Sequence, residues 1–319
     1  MNYKTLPSYE ILMSTLRKTL STAWHINTIH ETGINKWLSN FVGDALCTKD
    51  LDRENAISLE RRIALFLLCN FIYYNEEEVK HLMKIMLEKY IHKIFSNQGL
   101  TEVDDDQINL LIRRTQFSPL GNQSESSSYM LYLFRQINDL SKYDFEDKKE
   151  SDNIVFVDDF SITGSQSDRY IKKYLVEHSE NKSKNFYVLL MVSTQEAIIK
   201  IKSIPEVKDV FPCIIMDNTS KAFSEESIIF QGYSQELKEQ AKKLCQHYGE
   251  LIVSKEDKKN GATAFGFGGG EYLLGTYYNT PNNTLPIFWS EENLWQPIFR
   301  RYNKKYTNNS KVRLIGQYV

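Results

Sequence analysis

The sequence predicts an α/β fold in which a parallel sheet follows an α-helical N-terminal region. Two observations carry this. Between residues 153 and 217, the apolar runs 153–159, 185–193 and 209–217 alternate with amphipathic helical stretches. That is the pattern of βαβ units, whose parallel strands are buried on both faces and so read as continuous apolar runs. Before residue 115 the apolar positions recur at helical spacing instead. A hydrophobic content of 41% over 319 residues supports a packed core, in one large domain or two modest ones.

The elements follow in order. Residues 8–24 have helical spacing with Ser8 as N-cap, and 34–42 form a short helix. Residues 53–75 predict a strong helix, densely apolar in its second half. The stretch 76–95 begins acidic and turns basic, matching the helix macrodipole, and 104–114 repeats that polarity. Asp104, Asp105 and Asp106 therefore read as a capping run and not as a metal cluster. Residues 115–140 begin as a Pro/Gly/Ser loop and become helical. Strand 153–159, helix 167–178, strand 185–193, helix 194–204 and strand 209–217 make up the predicted sheet region. A long polar helix, 233–253, precedes a Gly-rich segment, a strand-like 272–279, and an Asn-rich turn between Pro281 and Pro286. The expected organisation is a helical region over 1–115, an α/β domain over 116–300 and a polar, basic tail over 301–319.

The formal net charge of −2 argues against a generally basic nucleic-acid coat, though not against a local patch. Cys47, Cys69, Cys213 and Cys245 are scattered, without zinc or redox spacing, as expected of a reduced cytoplasmic protein. The most apolar run, 63–74, is too short to span a bilayer, and the first residues hold no signal-peptide core; no membrane partner is expected. The histidines are dispersed, and neither a nucleophile elbow nor a P-loop appears.

The chemistry concentrates in NIVFVDDFSITGSQSDRYIKKYL, residues 153–175. Asp158 and Asp159 end an apolar run, a loop of small and hydroxylated residues follows, and a helix begins. Ligands of open parallel sheets bind at the carboxyl ends of the strands. A strand end feeding a helix N-terminus presents free N–H groups to a phosphate. Gly164 lets the backbone approach closely, and Ser161, Thr163 and Ser165 add hydroxyls. Two carboxylates would repel that phosphate but would accept hydrogen bonds from a ribose 2′,3′-diol, and would help hold a hydrated Mg²⁺ near the sugar. The order thus matches a ribose 5-phosphate site. The structural alternative is an aspartate capping the turn.

This stretch resembles the phosphoribosyl diphosphate (PRPP) loop of type I phosphoribosyltransferases. Val155, Phe156 and Val157 fill the strand, Asp158 and Asp159 match the acidic pair, Thr163 and Gly164 the Thr-Gly, and Ser165 and Gln166 the end of the motif. Ile162 stands where purine-salvage members carry a carboxylate and many others a Thr, and Gln166 replaces the usual terminal Thr. The resemblance therefore does not imply ordinary nucleobase salvage. It does imply a pyrophosphate loop from an earlier strand end. The candidate is 117–136, with Gly121, the serines of 124–128 (Ser126 and Ser127 among them) and Arg135; on its chemistry alone, a Ser-rich surface loop explains it as well. In 265–289, Asn279, Asn282 and Asn283 carry amides able to read a base, and Trp289 a ring able to stack on one. An Asx-rich turn with a core tryptophan is the alternative.

Taken in order, the Ser-rich loop, VFVDDFSITGSQ and YNTPNNTLPIFW resemble a divergent phosphoribosyltransferase-like family of bacterial conflict loci, including phage-defence operons and some retrons. The resemblance covers roughly residues 35–300. It implies a helical region on a phosphoribosyltransferase core with a C-terminal hood-like segment, and Mg²⁺ held by Asp158 and Asp159. It also implies an effector role, with PRPP or another ribosyl-phosphate nucleotide as ligand. Its expected regulators are a reverse transcriptase or regulatory subunit, or nucleic acid. Two other classes stay open: a nucleotide-sensing module without transfer chemistry, and a nucleic-acid binder acting through basic residues in 300–312.

Overall fold

The computed structural model describes residues 3–22, 31–100, 102–121, 126–140, 151–299 and 301. The chain opens with helices α1 (Tyr9–Thr22), α2 (Glu31–Leu38) and α3 (Arg53–Cys69), a short strand β1 (Ile72–Tyr74), then α4 (Glu76–Asn97) and α5 (Asp105–Arg113). Strands β2 (Thr115–Pro119), β3 (Asn153–Ser161), β4 (Asn185–Thr194) and β5 (Val207–Met216) alternate with α6 (Ser126–Ile137), α7 (Ser165–Glu177) and α8 (Gln195–Lys202). Next come α9 (Gln235–Ile252), α10 (Lys255–Lys259), the hairpin strands β6 (Ala262–Thr263) and β7 (Gly266–Phe267), and β8 (Leu274–Thr276).

The three expected strands, β3, β4 and β5, form a parallel sheet to which β2 adds an edge, in the order β2-β3-β4-β5. Alternate residues of β3 serve its two faces. Ile154 and Phe156 join Ile171, Leu175, Ile198 and Ile201 of α7 and α8. Val155 and Val157 join Tyr90, Ile112, Met130 and Phe134 of α4, α5 and α6. Pro212 lies inside β5, where its missing N–H is tolerated because β5 is an edge strand of this sheet.

A further core gathers α1, α2, α3 and α9 around residues 285–299, with Trp37, Phe41, Leu244 and Phe288 inside it. Its polar centre is the buried Glu60 carboxylate. This group accepts from the N–H groups of Gly43 (2.8 Å), Ala45 (2.8 Å) and Leu46 (2.9 Å) and from the Tyr248 hydroxyl (2.6 Å), so its charge is matched on every side. Residues before and after 115 enter the same cores: α4 and α5 pack on the sheet, and α3 packs with α9.

Two elements differ from expectation. The helix predicted over 53–75 stops at Cys69, where the Asn70 side chain turns back to the Phe66 carbonyl (2.8 Å). Ile72–Tyr74 then pairs in parallel with Leu274–Thr276, a partner some two hundred residues away that no local periodicity reveals. Residues 115–119, expected as loop, form β2. They are polar and short, but pairing with Asn153–Val157 satisfies their backbone, and Phe117 enters the core. The Asp104 capping run is observed as read: Gln107 N–H donates to Asp104 (2.8 Å) and Asp104 N–H to Gln107 (3.0 Å). Among the described residues, no helix is long and apolar enough to cross a membrane. Ser124 and residues 302–319, most of the basic tail, lie outside the described residues.

Candidate functional site

β3 continues through both aspartates to Ser161, so the acidic pair belongs to the strand itself. Both residues are buried: Asp158 is 6% exposed and Asp159 3%. The Asp159 N–H donates to Asp158 Oδ1 (3.0 Å) and the Phe160 N–H to Asp159 Oδ1 (2.9 Å). Asn279 Nδ2 donates to Asp159 Oδ2 (3.0 Å). The Tyr278 hydroxyl lies beside Asp159 and donates to Met130 Sδ (3.4 Å). Burial raises the Asp159 carboxyl above its ordinary range, against the surrounding Asn279 amide, Asp158 side chain, Phe160 N–H and Tyr278 hydroxyl, which lower it. The Tyr278 phenol is pushed well up by burial and then by the two carboxylates beside it.

The turn after β3 is fastened from β4. Ser193 Oγ donates to the Ser161 carbonyl (2.9 Å) and Thr194 Oγ1 to the Ile162 carbonyl (2.6 Å). Gly164 has φ +66°, and a Cβ there would lie 3.0 Å from Ala197 Cα; the left-handed backbone and the close approach of α8 both call for glycine. Helix α7 starts at Ser165, earlier than the expected 167, and Gly164 caps it without any side-chain hydrogen bond. Glycine at the cap position brings no side chain of its own to the turn, and backbone N–H groups at a helix N-terminus can receive an anion. Thr163 Oγ1 accepts from the Ser165 N–H (3.4 Å), and Lys200 Nζ donates to Ser165 Oγ (2.8 Å). Ser161 Oγ instead pairs with Ser167 Oγ (2.8 Å), inside the protein. Gln166 is exposed on the first turn of α7.

β2 brings the second expected loop alongside. Pro119 pairs with Val157, and the Leu120 N–H donates to the Val157 carbonyl (3.0 Å), so buried Gly121 follows directly beside the acidic pair. Ser126 and Ser127 open α6; the Ser127 hydroxyl is buried and has no hydrogen-bond partner among the described residues. Arg135 sits in the last turn of α6, about 13 Å along the axis from Ser126 at 1.5 Å per residue. The structure therefore does not bring it to the serines.

The C-terminal segment covers the site. The Asn282 carbonyl accepts from the Phe267 N–H (2.7 Å), and Asn283 Nδ2 donates to the Phe267 carbonyl (2.9 Å). These bonds clamp the glycine hairpin, and a Cβ at Gly268 would lie 3.3 Å from Thr163 Cγ2. Trp289 Nε1 donates to the Thr284 carbonyl (2.8 Å), and the Arg301 guanidinium stacks on its ring at 4.8 Å. Of the residues read as base-facing, Asn279 meets the acidic pair, Asn283 and Trp289 use their side-chain N–H groups on protein carbonyls, and Asn282 is held through its backbone carbonyl. Sequence reasoning missed Tyr278 and Lys200. Tyr278 sits next to Asn279, and the Gly-rich run was visible without its target; Lys200 carried no signal beyond a helical register.

Among the described residues, no group of three or more His, Cys, Asp or Glu side chains is placed to hold a metal. Two carboxyls in contact suit a Mg²⁺ ion that takes its remaining ligands from water and substrate phosphates, as this ion commonly does.

Comparison with known proteins gives one family model, PRTase-CE, which matches residues 34–301. No curated protein and no solved structure matches the chain.

Proposed function

The chain belongs to the PRTase-CE family, a phosphoribosyltransferase-type family associated with conflict systems, and from that premise we propose that it is an effector that binds a ribose 5-phosphate ligand and transfers or cleaves at its anomeric carbon. The observation that carries this is the buried Asp158–Asp159 pair in the C-terminal part of β3, followed through a turn by a helix start capped by glycine. Asp158 and Asp159 accept from the ribose diol. Residues 161–166 hold the 5′-phosphate through backbone N–H groups, Thr163 and Ser165, and Gly121, Ser126 and Ser127 flank the leaving group. With PRPP as donor, the C1–O bond breaks with its electron pair passing to pyrophosphate. A nucleophile bonds to C1 as the oxocarbenium character collapses, and positioning and backbone donors supply most of the rate. Mg²⁺, held by Asp158 and Asp159, would neutralise charge on the departing phosphates. Antiphage defence, and restraint by a reverse transcriptase, another regulatory subunit or nucleic acid, are the biological setting we propose.

The test is turnover of isotope-labelled PRPP or NAD by purified protein, alone and with partners. Release of labelled pyrophosphate or nicotinamide, abolished by Asp158→Asn with Asp159→Asn, supports the proposal. Ligand recovered intact under every condition sinks the enzymatic part. That outcome favours a second reading, a nucleotide-sensing module, which has its own observation: Asp159 is already covered by Asn279 and Tyr278.

A further inference from the structure

The last turn of α8 carries two lysines, as the helix macrodipole favours. They behave differently. Lys202 pairs with Asp209 at 2.9 Å. Lys200 turns to the opposite side, toward the start of α7. It forms no ion pair among the described residues, and its Nζ donates to Ser165 Oγ at 2.8 Å. Its backbone is brought there by Gly164: a Cβ at 164 would lie 3.0 Å from Ala197 Cα and 3.3 Å from Lys200 Cβ, so any larger residue would push α8 away from the turn. The nearby acid of this first turn, Asp168, is taken by Lys172 at 2.7 Å. A half-buried ammonium with no carboxylate partner among the described residues, hydrogen-bonded to the first residue of a helix capped by glycine, is an arrangement suited to receiving an anion.

We propose that Lys200 is a specificity-determining residue that contacts the terminal phosphate of the ligand, so that the site selects a sugar bearing a dianionic phosphomonoester over the same sugar without it. The inference rests on the sugar-phosphate reading of the 158–166 site and adds the charge that reading lacks. The backbone N–H groups of the turn carry only partial charges, whereas a phosphomonoester carries nearly two negative charges at neutral pH. In the liganded protein the Lys200 ammonium exchanges its bond to the Ser165 hydroxyl for one to a phosphate oxygen, or shares it between them. Lys200 reaches the turn from α8, outside the motif of the phosphate loop, which is why the loop sequence does not announce it.

The experiment titrates wild type, Lys200→Met, Lys200→Arg and the Asp158→Asn/Asp159→Asn double variant with ribose 5-phosphate, followed by ³¹P NMR at low and high salt with Mg²⁺ present. Thermal midpoints are measured on the same samples. Lys200→Met is expected to weaken ribose 5-phosphate by roughly tenfold to a hundredfold, the range for losing one charge-assisted hydrogen bond. Lys200→Arg should recover most of this, and the gap between wild type and Lys200→Met should narrow as salt rises. Wild-type affinity in Lys200→Met, with binding lost in the aspartate double variant, overturns the assignment of Lys200 and leaves the sugar-phosphate site standing. A loss in Lys200→Met that tracks a lowered midpoint and is not restored by arginine makes the lysine merely structural and overturns it too. Failure of wild type to bind ribose 5-phosphate removes both proposals together.

Discussion

Asn279 Nδ2 donates to Asp159 Oδ2 across 3.0 Å, tying the C-terminal segment to a carboxylate 120 positions earlier in the chain. The amide is held for this task. The Asn279 N–H donates to Thr276 Oγ1 (2.9 Å), and the Thr276 N–H donates to the Asn279 carbonyl (2.7 Å), closing a tight turn beyond β8. Through this bond the roof of the site and its floor are one hydrogen-bonded unit. A diol reaching Asp159 must replace Asn279 or share the carboxylate with it.

The pair is therefore expected to be energetically coupled. Asn279→Ala leaves a buried carboxylate one donor short and should cost roughly 1–3 kcal/mol of stability. In a double-mutant cycle with Asp159→Ala, measured by chemical denaturation, the coupling should be on the order of 1–2 kcal/mol. Additivity to within about 0.5 kcal/mol would show that the bond contributes nothing in solution.

Asp159 also predicts a pH dependence of stability. Its carboxyl is raised by burial, so in the window between the unfolded carboxylate value (about 3.9) and the raised folded value the native state binds more protons than the unfolded one. Stability from this group is full below the window and is lost as pH rises through it. Asp159→Asn cannot ionise and should remove that slope. At neutral pH the variant should be spared the cost of ionising a buried carboxyl, while losing the proposed activity. Denaturation curves for the two proteins across pH 3 to 8 check this; parallel curves would mean that Asp159 titrates at an ordinary carboxylate value.

The parts of this molecule legible in the sequence are those written in consecutive residues. The parallel strands announced themselves as apolar runs because both faces are covered, and Asp158, Asp159, Thr163 and Gly164 lie within one short motif. What stayed hidden depends on partners far along the chain. Thr115–Pro119 is a strand only because β3 pairs with it, and Ile72–Tyr74 only because β8 does. Lys200 looks like any basic residue at the end of a helix until Gly164 brings α8 against the turn after β3. The Gly-rich run was conspicuous, yet its reason lies elsewhere: a Cβ at Gly270 would sit 2.4 Å from the Asn283 carbonyl oxygen.

The four cysteines should separate by reactivity. Cys47 is exposed. Burial pushes the Cys69 thiol up to about 12 and the Cys213 thiol to about 11, and raises that of fully buried Cys245 well above its usual value. Thiolate is the reacting species, so a disulfide reagent at neutral pH should titrate one thiol quickly and the others slowly. All four should react once the chain is denatured. A second fast thiol in the native protein would show that the α1–α3 packing around Cys69, or the α4–β5 packing around Cys213, opens readily.

Two glycine-to-alanine changes test how the glycine hairpin is supported. Within a helix, alanine is favoured over glycine by about 1 kcal/mol. At Gly33 of α2 an added Cβ meets no heavy atom within 4 Å, so Gly33→Ala should gain roughly 0.5–1 kcal/mol. At Gly249 of α9 the same Cβ would lie 2.3 Å from the Ala264 carbonyl oxygen and 2.7 Å from its Cα. These are backbone atoms and cannot swing aside. Ala264 lies in the turn between β6 and β7, whose far end carries Gly268 against Thr163, so the displacement is passed on to the turn after β3. The steric penalty should outweigh the propensity gain, for a net loss of roughly 1–3 kcal/mol by chemical denaturation, with weaker ligand binding as a second readout. Equal stabilisation by the two substitutions would mean that α9 does not seat the hairpin, and would free Thr163 from that support.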